Sequence, residues 1–388
     1  MKTPARPMRS RRALALSAVL PLALFASCSS PGPEADGAAD AASADDLVGA
    51  RDAALDWLAA HQEEQGGWDV DAFWSHDPPE APTDGAGHPL NDIGVTALAI
   101  LAHVEAGHTA QEGERSAVVE RAVAWLLEQQ NEETGLIGSG AGVTHHYDHA
   151  IATYALAEVQ RAGGSPGLDG ALREAAEYVA RARNPYGVWR YSMPPNGEND
   201  TSVTIWMALA TRAVRDLGLR TDAAALDDTL LWLDEMTEPD SGRVGYVERG
   251  SRSSRVPGKN DAFPRESTEA LTAGAMVTRF ALGQELATMP HSDAQTELLL
   301  ASLPSPDGST DHLYWHFGTR AMHAAGGARW DRWRTAVEPL VLARMRDDGS
   351  FAGSWDPNGA WGYSGGRVYA TALMALVLND CVRGSEEG

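Results

Sequence analysis

Three histidines, an aspartate and a tyrosine fall within residues 144–153, THHYDHAIAT. His145 and His149 have the i, i+4 spacing that puts two imidazoles on one helix face, as a helical metal site requires. Zinc wants three or four ligands with hydrogen-bonded support. Only the run holding Asp311, His312 and His316 could approach from elsewhere, and a chain with two cysteines builds no thiolate-rich site. No metal and no cofactor is expected. Two other chemistries suit the remaining residues. Asp92 and Asp200 could work as a carboxylate pair on a glycan, with His149 as helper. Alternatively Tyr147, Trp206, Trp315 and Tyr369 could form an aromatic wall for an apolar ligand, with Asp148, Asn199, Glu269, His316 and Arg367 as its polar contacts.

These residues sit in a repeated frame. Thr96, Thr153, Thr204, Thr272, Thr319 and Thr371 each lie at the same place in an Ala-, Leu- and Met-rich stretch that is apolar on nearly every side, the mark of a buried helix. Before each comes a more amphipathic stretch ending in a Gly- or Trp-rich turn, as in LDWLAAHQEEQGGW and AAEYVARARNPYGVW. Six helical hairpins are therefore predicted, inner helices alternating with outer ones. No hairpin can bury its inner helix alone, so a closed ring is the economical arrangement.

The residues five before each threonine are Asn91, Asp148, Asn199, Ser267, Tyr314 and Gly366, mostly cap formers, which predicts an inner-helix start there and leaves His145 and His146 in a loop. One position later come Asp92, His149, Asp200, Thr268, Trp315 and Arg367, on the same face as the threonines. If that face points to the ring axis, these side chains surround one end of a central cavity. If it points outward, they serve as caps and packing.

The first residues read as an export signal. Lys2, Arg6, Arg9, Arg11 and Arg12 precede an apolar run of about 14 residues and then FASC. This order resembles a bacterial lipoprotein signal over 1–27, with Cys28 lipidated and 28–47 a flexible Ala/Gly/Pro/Ser/Asp tether. The expectation is an exported protein held at the cell envelope through a lipid on Cys28. The formal charge of −23 becomes five more negative once the signal is removed, which argues against nucleic acid as a partner. The sequence is silent on oligomeric state.

Over residues 48–384 the WL…Q…GGW segments, with YDHAIATYALAEV, GVWRYSMPPNGENDTSVTIWMAL and VYATALMALVLND, resemble the prenyltransferase/squalene-oxidase-repeat proteins of the terpenoid cyclase and prenyltransferase superfamily. The resemblance implies an all-α fold, an α/α toroid of six inner and six outer helices around a central cavity. It speaks weakly for any one reaction, because the fold also carries polysaccharide-processing enzymes. The cyclase motif Asp-X-Asp-Asp-Thr matches GENDT only at Asp200 and Thr201. Asn199 stands where the proton-donating acid belongs and Gly197 where its supporting carboxylate belongs, so squalene cyclisation is not expected. Asp200, at a helix N-terminus, is expected ionised. The leading expectation is an apolar, isoprenoid-like ligand in the central cavity. The alternatives are a glycan-processing enzyme or a scaffold without a small-molecule site.

Overall fold

Uninterrupted burial separates inner helices from outer ones. The computed structural model describes residues 42–386 apart from Val143, Pro166, Tyr186 and Gly308. The export signal and Cys28 lie outside the described residues. The outer helices are α1 (Ala44–Ala60), α3 (Ser116–Glu128), α5 (Leu168–Ala182), α7 (Ala223–Met236), α9 (Ser292–Ala301) and α11 (Gly327–Arg344). They alternate with the inner helices α2 (Asp92–Glu105), α4 (His145–Arg161), α6 (Thr201–Asp216), α8 (Ala270–Ala281), α10 (His312–Ala325) and α12 (Gly362–Glu386). In α2 every residue from Gly94 to Val104 is buried, whereas α5 buries one stripe: Leu168, Leu172, Ala175, Ala176, Tyr178, Val179 and Ala182. Each inner helix packs on the next and α12 packs on α2, which closes an α/α toroid. The first helix starts before residue 48, because Ser43 caps it by accepting the Asp46 N–H at 3.1 Å. No helix among the described residues is long and apolar enough to cross a membrane.

The six threonines are fully buried, and what they bind sets the direction of their face. Oγ1 of Thr96, Thr204, Thr272 and Thr371 accepts the backbone N–H of Trp68 (3.0 Å), Trp189 (3.4 Å), Val244 (3.1 Å) and Trp355 (3.2 Å), all in the turns that end outer helices. In three hairpins the same tryptophan donates its indole N–H back to an outer-helix carbonyl, of Leu58, Val179 or Val341. In these four hairpins the threonine is thus the socket that pins the turn to its inner helix, and its face points outward, away from the ring axis; Thr319 accepts the indole N–H of Trp333 on α11 at 3.0 Å, and Thr153 donates to the His149 carbonyl of its own helix.

Side chains fill the interior of the ring. Ile205 of α6 and Phe317 of α10 close over Gly274 of α8, and the Trp206 ring lies tilted against Phe317 at 5.1 Å. At the end where the inner helices finish, Arg320 pairs with Glu105 and Asp380, and Arg383 pairs with the same two carboxylates. These ion pairs join α2 to α10, which are not neighbours in the ring, and seal that end.

Helix starts depart from the expected caps. Thr144 precedes α4, so His145 and His146 are its first residues and Asp148 lies in its first turn instead of capping it. Asp200, and not Asn199, caps α6; Asn199 turns back to accept from Asn184 Nδ2 (2.9 Å) and the Val188 N–H (3.2 Å). Glu269 and Asp311, and not Ser267 and Tyr314, precede α8 and α10. Asn91 does precede α2, without a side-chain cap bond. Gly366 is a break as expected: it sits at φ +70° inside the α12 span, and a Cβ there would lie 2.5 Å from the Gly87 nitrogen. Gly366→Ala should therefore cost about 1–3 kcal/mol in denaturant unfolding. Gly170→Ala, on the exposed side of α5 with nothing within 4 Å, should leave stability unchanged or higher.

Candidate functional site

Of the side chains expected to ring one opening, all but Asp200 are taken up one by one by neighbouring turns, loops and helix ends. His149 is fully buried; its Nδ1 accepts the Ile137 N–H at 3.0 Å and its Nε2 lies 3.1 Å from the Ala175 carbonyl. The amide fixes Nδ1 as acceptor, so Nε2 carries the proton and donates. Burial pushes this imidazole down to about 3. His149 is a neutral socket for a turn, with no free nitrogen for a metal or for proton transfer. His146 is held likewise by the Arg190 carbonyl and the Tyr178 hydroxyl, and burial holds it at about 4. Arg367 pairs with Asp84 and Asp356. Trp315 is buried under the Arg344 guanidinium, 5.0 Å from its ring centroid. Thr268 donates to Asp311 at 2.9 Å, and Glu269 is clamped by Arg243 at 2.8 Å. His316 is buried beside Phe317 with Nδ1 unpartnered, and burial pushes it down to about 3. Tyr369 is half-buried near Asp311.

Asp92 and Asp200 have separate hydrogen-bond partners. Asp92 Oδ1 accepts the Val70 N–H at 3.1 Å, and Asp148 reaches from α4 to the Gly94 N–H at 3.2 Å. Asp92 and Asp148 are the carboxyls that interact. Burial raises Asp92 to about 7, helped by Asp69, Asp71 and Glu63, and burial raises Asp148 to about 8, helped by Asp92. Among the described residues, Asp69, Asp71 and Asp92 bring carboxylate oxygens within 4.8 Å of one another, with Asp71 exposed. They are the residues that could hold a cation, a grouping that sequence spacing alone did not indicate.

Asp200 anchors a different constellation, at the end of the ring where the inner helices begin, its mouth. Its Oδ1 accepts from Ser202 Oγ (2.7 Å) and the Val203 N–H (2.9 Å). Its Oδ2 is buried without a hydrogen-bond partner, the Arg190 Nε standing off at 3.7 Å. Tyr147 of α4 lies 2.6 Å from Ser202 Oγ and 3.4 Å from the Tyr191 hydroxyl, which lies 2.5 Å from that of Tyr246. Arg190 also stacks on Tyr191 at 5.6 Å. Burial raises the Asp200 carboxyl above its usual range against the opposing Val203 and Ser202 bonds. The expectation of a carboxylate favoured as the anion by its helix N-terminus left out that desolvation, the larger effect here. Burial also raises Tyr147, Tyr191 and Tyr246, with the Asp200 charge second in each case.

Tyr191, Ser202, Tyr246 and Arg190 were not singled out in the sequence. The available signal was an aromatic just beyond a Gly-containing turn, in GVWRY and again in RVGY. Tyr246 belongs to the long α7–α8 connection, which spans the mouth. It is pinned at α6 by Thr201, whose N–H and Oγ1 donate to the Tyr246 and Gly245 carbonyls, and its Lys259 lies over the Tyr363 ring of α12 at 6.0 Å. Met193 and Val247, next to the two outer tyrosines, are exposed. A cavity of about 290 Å³ lies elsewhere, lined by Arg212, Arg215, Asp216, Leu226, Asp227, Leu230 and Leu282.

Comparison with protein-family models and with curated sequences returns no match. Solved structures do match. The type II terpene cyclase MstE from Scytonema is 17% identical with a TM-score of 0.57, over 89% of this chain and 99% of that one. An alpha-amylase from Clostridium perfringens is 9% identical with a TM-score of 0.58, over 86% and 97%. An alpha-1,6-mannanase of Salegentibacter is 10% identical with a TM-score of 0.57, over 87% and 99%. At such identities the likeness is one of fold, and that fold is the α/α toroid common to terpene cyclases and mannanases.

Proposed function

We propose that this protein binds an apolar, isoprenoid-like ligand at the mouth of its ring, with Asp200 and the tyrosine network taking the ligand's polar end. The observation that carries the reading is Asp200 Oδ2, buried without a short hydrogen bond at the end of a chain of three phenols, whose outer two, Tyr191 and Tyr246, lie within two residues of exposed Met193 and Val247. The packed interior supports an entrance site over the central cavity expected from the sequence. A solved relative in fold, MstE, is described in complex with geranylgeranyl dihydroxybenzoate, a ligand with a polar head and a prenyl tail. The test is titration of the purified mature protein with farnesol. Met193→Asp and Val247→Asp, both at exposed positions, should each weaken binding roughly tenfold, while Trp206→Phe in the interior should not. Binding lost in Trp206→Phe and unchanged in the mouth variants would move the site back inside the ring.

One observation favours a second reading. Asp92 and Asp148 are carboxyls raised to about 7 and about 8, within reach of solvent at Asp71, and a carboxyl titrating near neutrality suits acid catalysis on a glycan. Hydrolysis of starch or of alpha-1,6-mannan that disappears in Asp92→Asn would establish it in place of the first.

The anchor remains a proposal from the sequence. The basic–apolar–FASC order supports lipidation of Cys28 and residence at the cell envelope. Cys28→Ser should release the protein into the soluble fraction, and continued membrane association would count against it.

A further inference from the structure

The hydroxyls at the mouth have a direction. A carboxyl oxygen flanked by two donors accepts, so Ser202 Oγ gives its one proton to Asp200 Oδ1 and must accept from Tyr147. With its own proton committed to Ser202, Tyr147 accepts from Tyr191, and Tyr191, committed in turn, accepts from Tyr246. Every proton in the chain Tyr246–Tyr191–Tyr147–Ser202–Asp200 therefore runs inward, and at the chain's outer end the Tyr246 oxygen accepts, with Ser254 beside it. At its inner end Asp200 Oδ2 is buried and makes no short hydrogen bond: Arg190 stands off at 3.7 Å in a loose ion pair and is drawn also to Glu198 at 3.2 Å, and the Tyr191 hydroxyl, which pulls weakly on the carboxyl, is already engaged with Tyr246. A buried carboxyl oxygen left unmet is costly, and a ligand group that meets it recovers that cost. A hydrocarbon meets neither end. An ether or a carbonyl brings only an acceptor, which meets Oδ2 when that oxygen carries the proton and not when it is ionised. A hydroxyl is donor and acceptor at once and satisfies Asp200 in either protonation state.

We infer that the ligand of this site is an apolar alcohol: a neutral amphiphile whose hydroxyl donates into the Asp200–tyrosine network while its hydrocarbon body lies along Met193 and Val247. The inference rests on the mouth reading above and narrows it to a chemical class. It also makes the orientation specific, with the hydroxyl inward and the tail toward the exposed rim.

The probes are farnesol, its O-methyl ether and farnesene, which share a tail and differ in the head. Each is titrated against the mature protein and against Asp200→Asn and Ser202→Ala. Asparagine is a competent helix cap, so the first variant keeps the start of α6; Ser202→Ala interrupts the chain and removes one donor from Oδ1 while leaving the carboxyl itself and its Val203 N–H bond in place. The expected result is that the parent prefers farnesol to the ether and to farnesene by roughly tenfold or more, and that both variants bring the three within about threefold of one another. Equal binding of all three by the parent overturns the alcohol assignment and leaves the mouth reading standing. A preference for farnesol that survives in both variants overturns the role of this network. Binding of none of the three overturns the mouth reading and the inference together.

Discussion

Arg320→Met will lose about 3–5 kcal/mol of unfolding free energy. Arg320 stands at the sealed end of the ring and bridges Glu105 of α2 to Asp380 of α12. The side chains are 19%, 12% and 3% exposed, so solvent screens them little. Removing the guanidinium leaves two mostly buried carboxylates sharing Arg383 alone. The cost is chiefly that of stranded charge, since replacing a whole buried ion network by apolar groups is often neutral. Arg320→Met combined with Asp380→Leu should therefore lose less than the sum of the two single losses, which equilibrium denaturation measures directly. Additive losses would mean that the pair does not act as a unit. The same arrangement gives an acid-side signature. Although burial works to raise it, Asp380 is held below its usual range by Arg320 and Arg383. Its contribution is present above the ordinary carboxyl range and is lost as pH falls through the lowered value.

Asp148→Asn should show the opposite sign. A carboxyl whose pKa rises on folding contributes its stability fully below the ordinary value of about 4 and loses it as pH rises through the folded value. For Asp148 that value is about 8, raised by burial and then by Asp92. The variant should gain on the parent by up to about 4 kcal/mol between pH 5 and pH 8, the limit for one full proton over three units. Asparagine keeps an oxygen for the Gly94 N–H, so the local bond survives. The variant-minus-parent difference reports Asp148 together with its coupling to Asp92. The buried histidines His146, His149 and His316, lowered by burial and stabilising as pH rises toward the ordinary histidine value, act in both proteins and cancel. A difference that stays flat from pH 5 to pH 8 would mean Asp148 is not held protonated by the fold.

The architecture was legible because one small polar residue per inner helix recurs at a fixed place. Thr96, Thr204, Thr272 and Thr371 all accept a turn amide, and that shared task is why the repeats align. Periodicity says which residues share a face and not which way the face points. The direction came from the partner atoms, and it turned Asp92, His149, Trp315 and Arg367 from rim residues into fastenings of the outer layer. Helix starts slipped where a residue outside the expected cap held the turn: Thr144 starts α4 before Asp148, and Asp200 outcompetes Asn199, whose amide is engaged by Asn184 and Val188. Tyr147 and Asp200 were in the expected set because they sit on helices with a repeat to compare. Tyr191 and Tyr246 sit in irregular connections, where no periodicity says that two residues far apart in the chain meet at 2.5 Å.

The account stands or falls on where a ligand touches the protein. The most direct measurement is photo-crosslinking with a long-chain alcohol that carries a diazirine in its tail, followed by peptide mapping of the adducts. The account predicts adducts on the segments around Tyr191 and Met193 and around Tyr246 and Val247, suppressed by excess farnesol and lost in Met193→Asp. Competable adducts on the interior residues Ile205, Trp206 or Phe317, or on the turns that hold His149 and Arg367, with the mouth segments unlabelled, would contradict it.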